Sequence, residues 1–228
     1  MKFTYCKIRT GIAVLLCMFA VLAVSVPRNF VQAEAASVSS SEKKKIQKLI
    51  DNNIIHYIDG SCNHPPKLDQ FQFNSKMKTD IAFHNVAYSD TVFSQYSSDA
   101  RLLKKYQPYG GVFRYTDSVK AAVKKKGKAL FGNSFQIAFA AGDGMSVSSS
   151  YPLSHDKKYV LMNFTDWGDW YVNHQYKFSK KNNTYTAKVK VLSYWGGTED
   201  DVTVHQFHID LKKKGKSFVI TDIVFERS

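Results

Sequence analysis

The stretch from Thr203 to Phe225, TVHQFHIDLKKKGKSFVITDIVF, decides the fold. Thr203, His205, Phe207, Ile209 and Leu211 alternate with Val204, Gln206, His208 and Asp210. After a short break, Val219, Thr221, Ile223 and Phe225 stand opposite Phe218, Ile220, Asp222 and Val224. A period of two is the mark of an extended chain, whose successive side chains point to opposite faces of a sheet. The break at 213–216 holds three lysines and Gly215, which reads as the turn of a hairpin.

The same pattern continues upstream. Tyr185, Ala187, Val189, Val191 and Ser193 line one face of a strand, and Trp170, Val172, His174, Tyr176 and Phe178 line another. Tyr159, Leu161 and Asn163 alternate with Val160, Met162 and Phe164. With turns at 166–169, 180–183, 195–201 and 213–216, these segments predict an antiparallel meander of about five strands between residues 157 and 226.

Before residue 144 the period is nearer 3.6. Ile46, Leu49, Ile50, Ile54, Tyr57 and Ile58 form a helical stripe over Glu42–Ile58 behind Ser41 as N-cap, with Lys43, Lys44, Lys45 and Lys48 on the solvent side. Ser75 is the expected cap of a helix carrying Met77, Ile81 and Val86, and Leu102, Leu103 and Tyr106 suggest another helical turn. Thr116 caps a helix from Asp117 to about Lys126. Helices followed by strands indicate an α+β fold, with the helices packed on one face of the sheet. This element order resembles the NTF2-like and cystatin-like layouts. That resemblance implies a fold class alone, because such folds carry both enzymes and binding proteins.

Residues 1–35 read as a secretory signal peptide. Lys2, Lys7 and Arg9 precede an apolar run from Gly11 to Val26, and Ala33-Glu34-Ala35 offers a small-x-small cleavage site before Ala36. The run is shorter than the roughly 20 residues of a membrane-spanning helix. Cleavage leaves a linker and helical lead-in at 36–60 and a single α+β domain at 61–228. No later segment is apolar enough to span a membrane. Cys6 and Cys17 leave with the leader, so Cys62 has no intramolecular partner and the domain must rely on its core. A long leader, no disulfide and many Lys, Asn and Tyr resemble exported proteins of Gram-positive bacteria, and the expected location is extracellular or on the cell wall.

The chain carries a formal charge of +13, and without its leader +10. Such an excess favours polyanions. At an exported location the candidates are anionic wall polymers, lipid headgroups or acidic polysaccharides before nucleic acid, for which no RNP-like or zinc-finger motif is present. Lys180, Lys181, Lys212, Lys213, Lys214 and Lys216 all fall at one end of the expected sheet, with Lys157, Lys158 and Lys177 nearby.

The other end collects aromatic and acidic residues. A turn centred between 181 and 182 sets Trp170 opposite Ser193 and Trp195 opposite Gly168. Trp167, Trp170 and Trp195 then converge with Tyr171, Tyr194, Asp166 and Asp169, and the loop 195–201 adds Glu199, Asp200 and Asp201. Exposed aromatic faces with carboxylates beside them suit a sugar or an extended peptide. The acid spacing matches no calcium-binding loop of the EF-hand type.

Catalytic signatures are lacking. Cys62 and His64 stand two apart, a spacing that seldom lets both face one site, His174, His205 and His208 show no zinc-type spacing, and His56 and His84 are far apart along the chain. No catalytic residue, metal or cofactor is assigned. The expected function is a non-catalytic binding module at the cell envelope, with a wall glycan, a peptide or an envelope enzyme as partner. One alternative is a cell-wall hydrolase using carboxylates near the tryptophans. Another is a structural protein held electrostatically on anionic wall polymer.

Overall fold

The computed structural model describes residues 37–57, 72–107, 109–142, 151–162, 173–194 and 202–226. Residues 36–228 belong to one compact unit. Its first helix, α1, spans Ser40–Ile50 and runs directly into a π-helical turn at Asp51–Ile55. Then come α2 (Ser75–Ala87), α3 (Asp90–Phe93), β1 (Tyr96–Ser97), α4 (Ala100–Lys105), β2 (Gly111–Arg114) and α5 (Asp117–Phe131). The remaining strands are β3 (Tyr159–Met162), β4 (Asn173–Lys181), β5 (Thr184–Tyr194), β6 (Val202–Lys214) and β7 (Ser217–Glu226).

The fold is α+β with antiparallel sheets, two of them among the described residues. β4-β5-β6-β7 form a four-stranded meander, while β1-β2-β3 form a separate three-stranded sheet. This corrects the expected five-strand meander. The segment at Tyr159–Met162 is a strand, but its partner is β2, with Val160 opposite Phe113 and Leu161 opposite Val112. Its residues Val160, Leu161 and Met162 are all buried. A strand covered on both sides belongs inside the helical layer, not at the edge of a half-exposed sheet.

The meander has one apolar face. Tyr185, Leu211 and Ile220 form one cross-strand row, and Ala187, Ile209 and Ile223 form the next. All six are at most 2% exposed, and each large side chain so buried contributes about 1.5–3 kcal/mol. The opposite face carries Lys177, Lys188, Lys190 and Gln206, all exposed. The register slips once, between Asp210 and Leu211, where β7 holds an extra residue at Thr221. The bulge moves burial from Phe218 and Ile220 to Ile223, so the strict alternation expected along β7 fails there.

Helices α1 and α5 lie against β7, and α2 packs on α5. The N-cap of α1 is Ser39, two residues before the expected Ser41. Ser39 accepts from the Glu42 N–H at 3.3 Å, and the Glu42 carboxylate accepts from the Ser39 N–H in return. Only Ser39 has a glutamate three positions on, which closes the reciprocal capping box. Asn74, not Ser75, caps α2. Thr116 caps α5 as expected, but the helix runs past Gly127 to Phe131.

Candidate functional site

The lysine-rich end of the meander is built by two tight turns. Lys181 pairs with Thr184 around Asn182-Asn183, and Lys214 pairs with Ser217 around Gly215-Lys216. Each loop has positive φ at its first residue, 55° at Asn182 and 59° at Gly215. Glycine adopts this conformation freely, and asparagine tolerates it. Because the strands alternate in direction, both turns lie at the same end of the sheet. Lys181, Thr184 and Lys212 form one cross-strand row, which sets Lys181 and Lys212 two strand spacings apart, about 10 Å.

Of the six lysines, Lys181, Lys212, Lys213, Lys214 and Lys216 are exposed. Lys180 lies on the inner face, with its ammonium 4.8 Å from the Tyr185 ring centre. Lys213 is drawn to Glu42, with Nζ 2.8 Å from Oε1. The same carboxylate accepts from the Tyr185 hydroxyl at 2.8 Å. The Lys213 ammonium and then the Tyr185 hydroxyl hold Glu42 down to a pKa of about 2. One side chain therefore caps α1, ties it to the sheet and brings the exposed Lys43, Lys44 and Lys45 of its first two turns toward the lysine end.

Trp167, Trp170, Trp195, Tyr171, Asp166 and Asp169 lie outside the described residues, as do Glu199, Asp200 and Asp201. Tyr194 is the last residue of β5, opposite Val202. The hairpin leading toward them has a different register from the expected one. Asn173 faces Leu192, two residues further along β5, because the loop is Asn182-Asn183 and β4 continues through Lys181.

The structure also brings together residues that sequence spacing kept apart. In the π-helical turn after α1, the His56 N–H reaches back to the Asp51 carbonyl. This wider turn sends three polar groups into the surrounding layers. Asp51 Oδ1 accepts a short hydrogen bond from the Tyr176 hydroxyl and lies 3.1 Å from His174 Nε2, both on β4. Burial, with Asp51 beside it, pushes the Tyr176 phenol well above its usual range. The Asn53 carbonyl accepts from Asn85 on α2 at 3.0 Å. His56 Nδ1 lies 2.9 Å from His84 Nε2, and His84 Nδ1 lies 2.7 Å from the Tyr151 hydroxyl.

His84 is 1% exposed, and Tyr151 is 2% exposed. Desolvation, with His56 adding to it, lowers the His84 pKa to about 4, so the ring is neutral at neutral pH. Asn53 Oδ1 and His174 Nδ1 are buried without a hydrogen-bond partner among the described residues. π-turns recur at functional positions, and here one unites α1, α2 and the sheet edge. The available sequence signal was a histidine ending the buried run Ile81-Ala82-Phe83-His84. A separate open groove of about 460 Å³ runs along α4, lined by Ala100, Leu103, Lys104, Gln107 and Tyr109.

No protein-family model, curated protein or solved structure matches this chain. Among the described residues, no helix is long and apolar enough to cross a membrane. No group of three or more His, Cys, Asp or Glu is arranged to hold a metal ion among the described residues.

Proposed function

We propose that the chain is a secreted, non-catalytic binding module of the bacterial cell envelope that docks on an anionic wall polymer through the lysine end of its meander. The observation that supports this most is the convergence of Lys181, Lys212, Lys214 and Lys216 at two adjacent turns, with Lys43–Lys45 brought alongside by Glu42. Lysine is a compact, strongly hydrated point charge on a flexible stem, suited to a polymer of repeating phosphates or carboxylates rather than to one fixed ligand. Row spacings of about 10 Å let neighbouring cations address successive charges along such a chain. The same reading keeps Trp167, Trp170, Trp195, Asp166, Asp169, Tyr171 and Tyr194 as the residues proposed to bind a glycan or peptide.

The test is sedimentation with purified wall material across a salt series. Exposed charge contacts are screened within about 8–10 Å at physiological ionic strength, so binding is expected to weaken steeply as salt rises. The double variant Lys181→Glu/Lys212→Glu is expected to bind several-fold more weakly and with a shallower salt dependence. Trp→Ala at 167, 170 and 195 separates the aromatic contribution, which salt leaves largely intact. Binding that is insensitive to both salt and charge reversal would overturn the electrostatic reading.

A further inference from the structure

The geometry points to a two-histidine site for a divalent transition-metal ion, formed by His56 Nδ1 and His84 Nε2, with solvent or an exogenous ligand in the remaining positions. The two nitrogens face each other at 2.9 Å, and the ring centroids are 4.8 Å apart with planes inclined at 57°. Two metal–nitrogen bonds of about 2.0 Å set at a right angle place their nitrogens about 2.8–2.9 Å apart, whereas a tetrahedral angle requires about 3.3 Å. The observed spacing therefore suits adjacent positions of a tetragonal ion such as Cu2+ or Ni2+ without opening the pair. The ring centroids are closer than they would be if both rings pointed straight along the N···N line. At least one ring is therefore tilted off that line.

The surroundings favour a ligand pair over a simple contact. Ligating imidazoles characteristically engage a second group through the nitrogen that does not touch the metal, which fixes ring orientation and tautomer. The Tyr151 hydroxyl, 2.7 Å from His84 Nδ1, stands in that place. With the Nδ1 proton donated to Tyr151, His84 Nε2 is bare. The edges of Tyr57 and Tyr88 wall the imidazole at 5.6 and 6.1 Å between centroids. His56 is exposed and gives the ion its entry. For both nitrogens to ligate, His56 takes the tautomer with its proton on Nε2, which leaves Nδ1 bare.

The π-helical turn explains why the pair meets at all. It turns His56 toward α2 while Asp51 faces His174 and Tyr176 of β4, so the carboxylate of Asp51 is not shared between the two clusters.

Calorimetric titration of the tag-free full chain with Ni2+ and Cu2+ tests the site. One equivalent is expected to bind with micromolar or tighter affinity, with Zn2+ weaker than Cu2+. His56→Ala replaces an exposed residue and is expected to keep the circular dichroism of the parent while losing at least 30-fold in affinity. Tyr151→Phe should weaken binding by a smaller factor, and His155→Ala and His208→Ala should leave it within twofold. The Cu2+ electron paramagnetic resonance spectrum should show hyperfine coupling to two imidazole nitrogens in the parent and to one in His56→Ala. Absence of binding below millimolar concentration, or affinity within threefold of the parent in His56→Ala, would overturn the proposal.

Discussion

Glu42 shows how much one residue can carry. Its two oxygens divide the work, Oε2 closing the capping box with Ser39 and Oε1 accepting from Tyr185 and Lys213. The carboxyl titrates near 2 in the fold against an ordinary 4.5. A group whose folded pKa is depressed favours the folded state at every pH above its unfolded value, and that contribution vanishes as pH falls through the interval between the two. Thermal midpoints measured from neutral pH down to about 2 should therefore fall more steeply for the parent than for Glu42→Gln between 4.5 and 2. Parallel curves would remove Glu42 as the tether. The Ser-x-x-Glu pairing behind this was readable in the sequence, although three serines in a row put the expected cap at Ser41. The Glu42 tether to Tyr185 and Lys213 was not readable. Those partners lie 143 and 171 residues away, and only packing of α1 on the meander brings them within reach.

At the scale of elements, α5 holds a glycine whose replacement has a counterintuitive outcome. Inside a helix, Gly→Ala ordinarily stabilises by up to about 1 kcal/mol. At Gly127 an added Cβ falls 2.1 Å from Phe135 Cε1. Phe135 is buried and packs against Phe131, so it has little room to retreat. Gly127→Ala is expected to destabilise by about 1–3 kcal/mol, the usual cost of overpacking, as read by urea denaturation. Gly127→Ala/Phe135→Leu should recover part of the loss, and a Gly127→Ala protein as stable as the parent would show that the ring yields freely. The sequence pattern ended this helix near Lys126, one residue before Gly127, and glycine weakens helices. Packing reversed that preference, since a side chain from the following segment needs the space the missing Cβ leaves. The π-helical turn was equally hidden, because the Asp-Asn-Asn-Ile-Ile sequence continues an α-helical stripe and only contacts from two sides favour the wider turn. Strands β1 and β2 were missed for a related reason. Gly111–Arg114 is buried at three successive positions and shows no period of two.

For the whole molecule, the basic leader, apolar run and Ala-Glu-Ala site predict export with cleavage before Ala36. Expressed in a Gram-positive host, the protein recovered outside the cell should have an intact mass corresponding to a chain beginning at Ala36. Protein retained in cells with residues 1–35 attached would count against the secretory reading. The sequence by itself determined the α+β class, the C-terminal hairpins and the gathering of lysines at one end of the meander, because strand periodicity and turn residues are local properties. Tertiary structure alone decided that β3 leaves the meander for a second sheet, that β4 and β5 pair two residues away from the expected register, and that His56 meets His84. Each of these depends on which buried surfaces find one another across the chain. Alternation along a strand says which side chains share a face, but the identity of the partner strand or helix follows from the shape and polarity of the whole core.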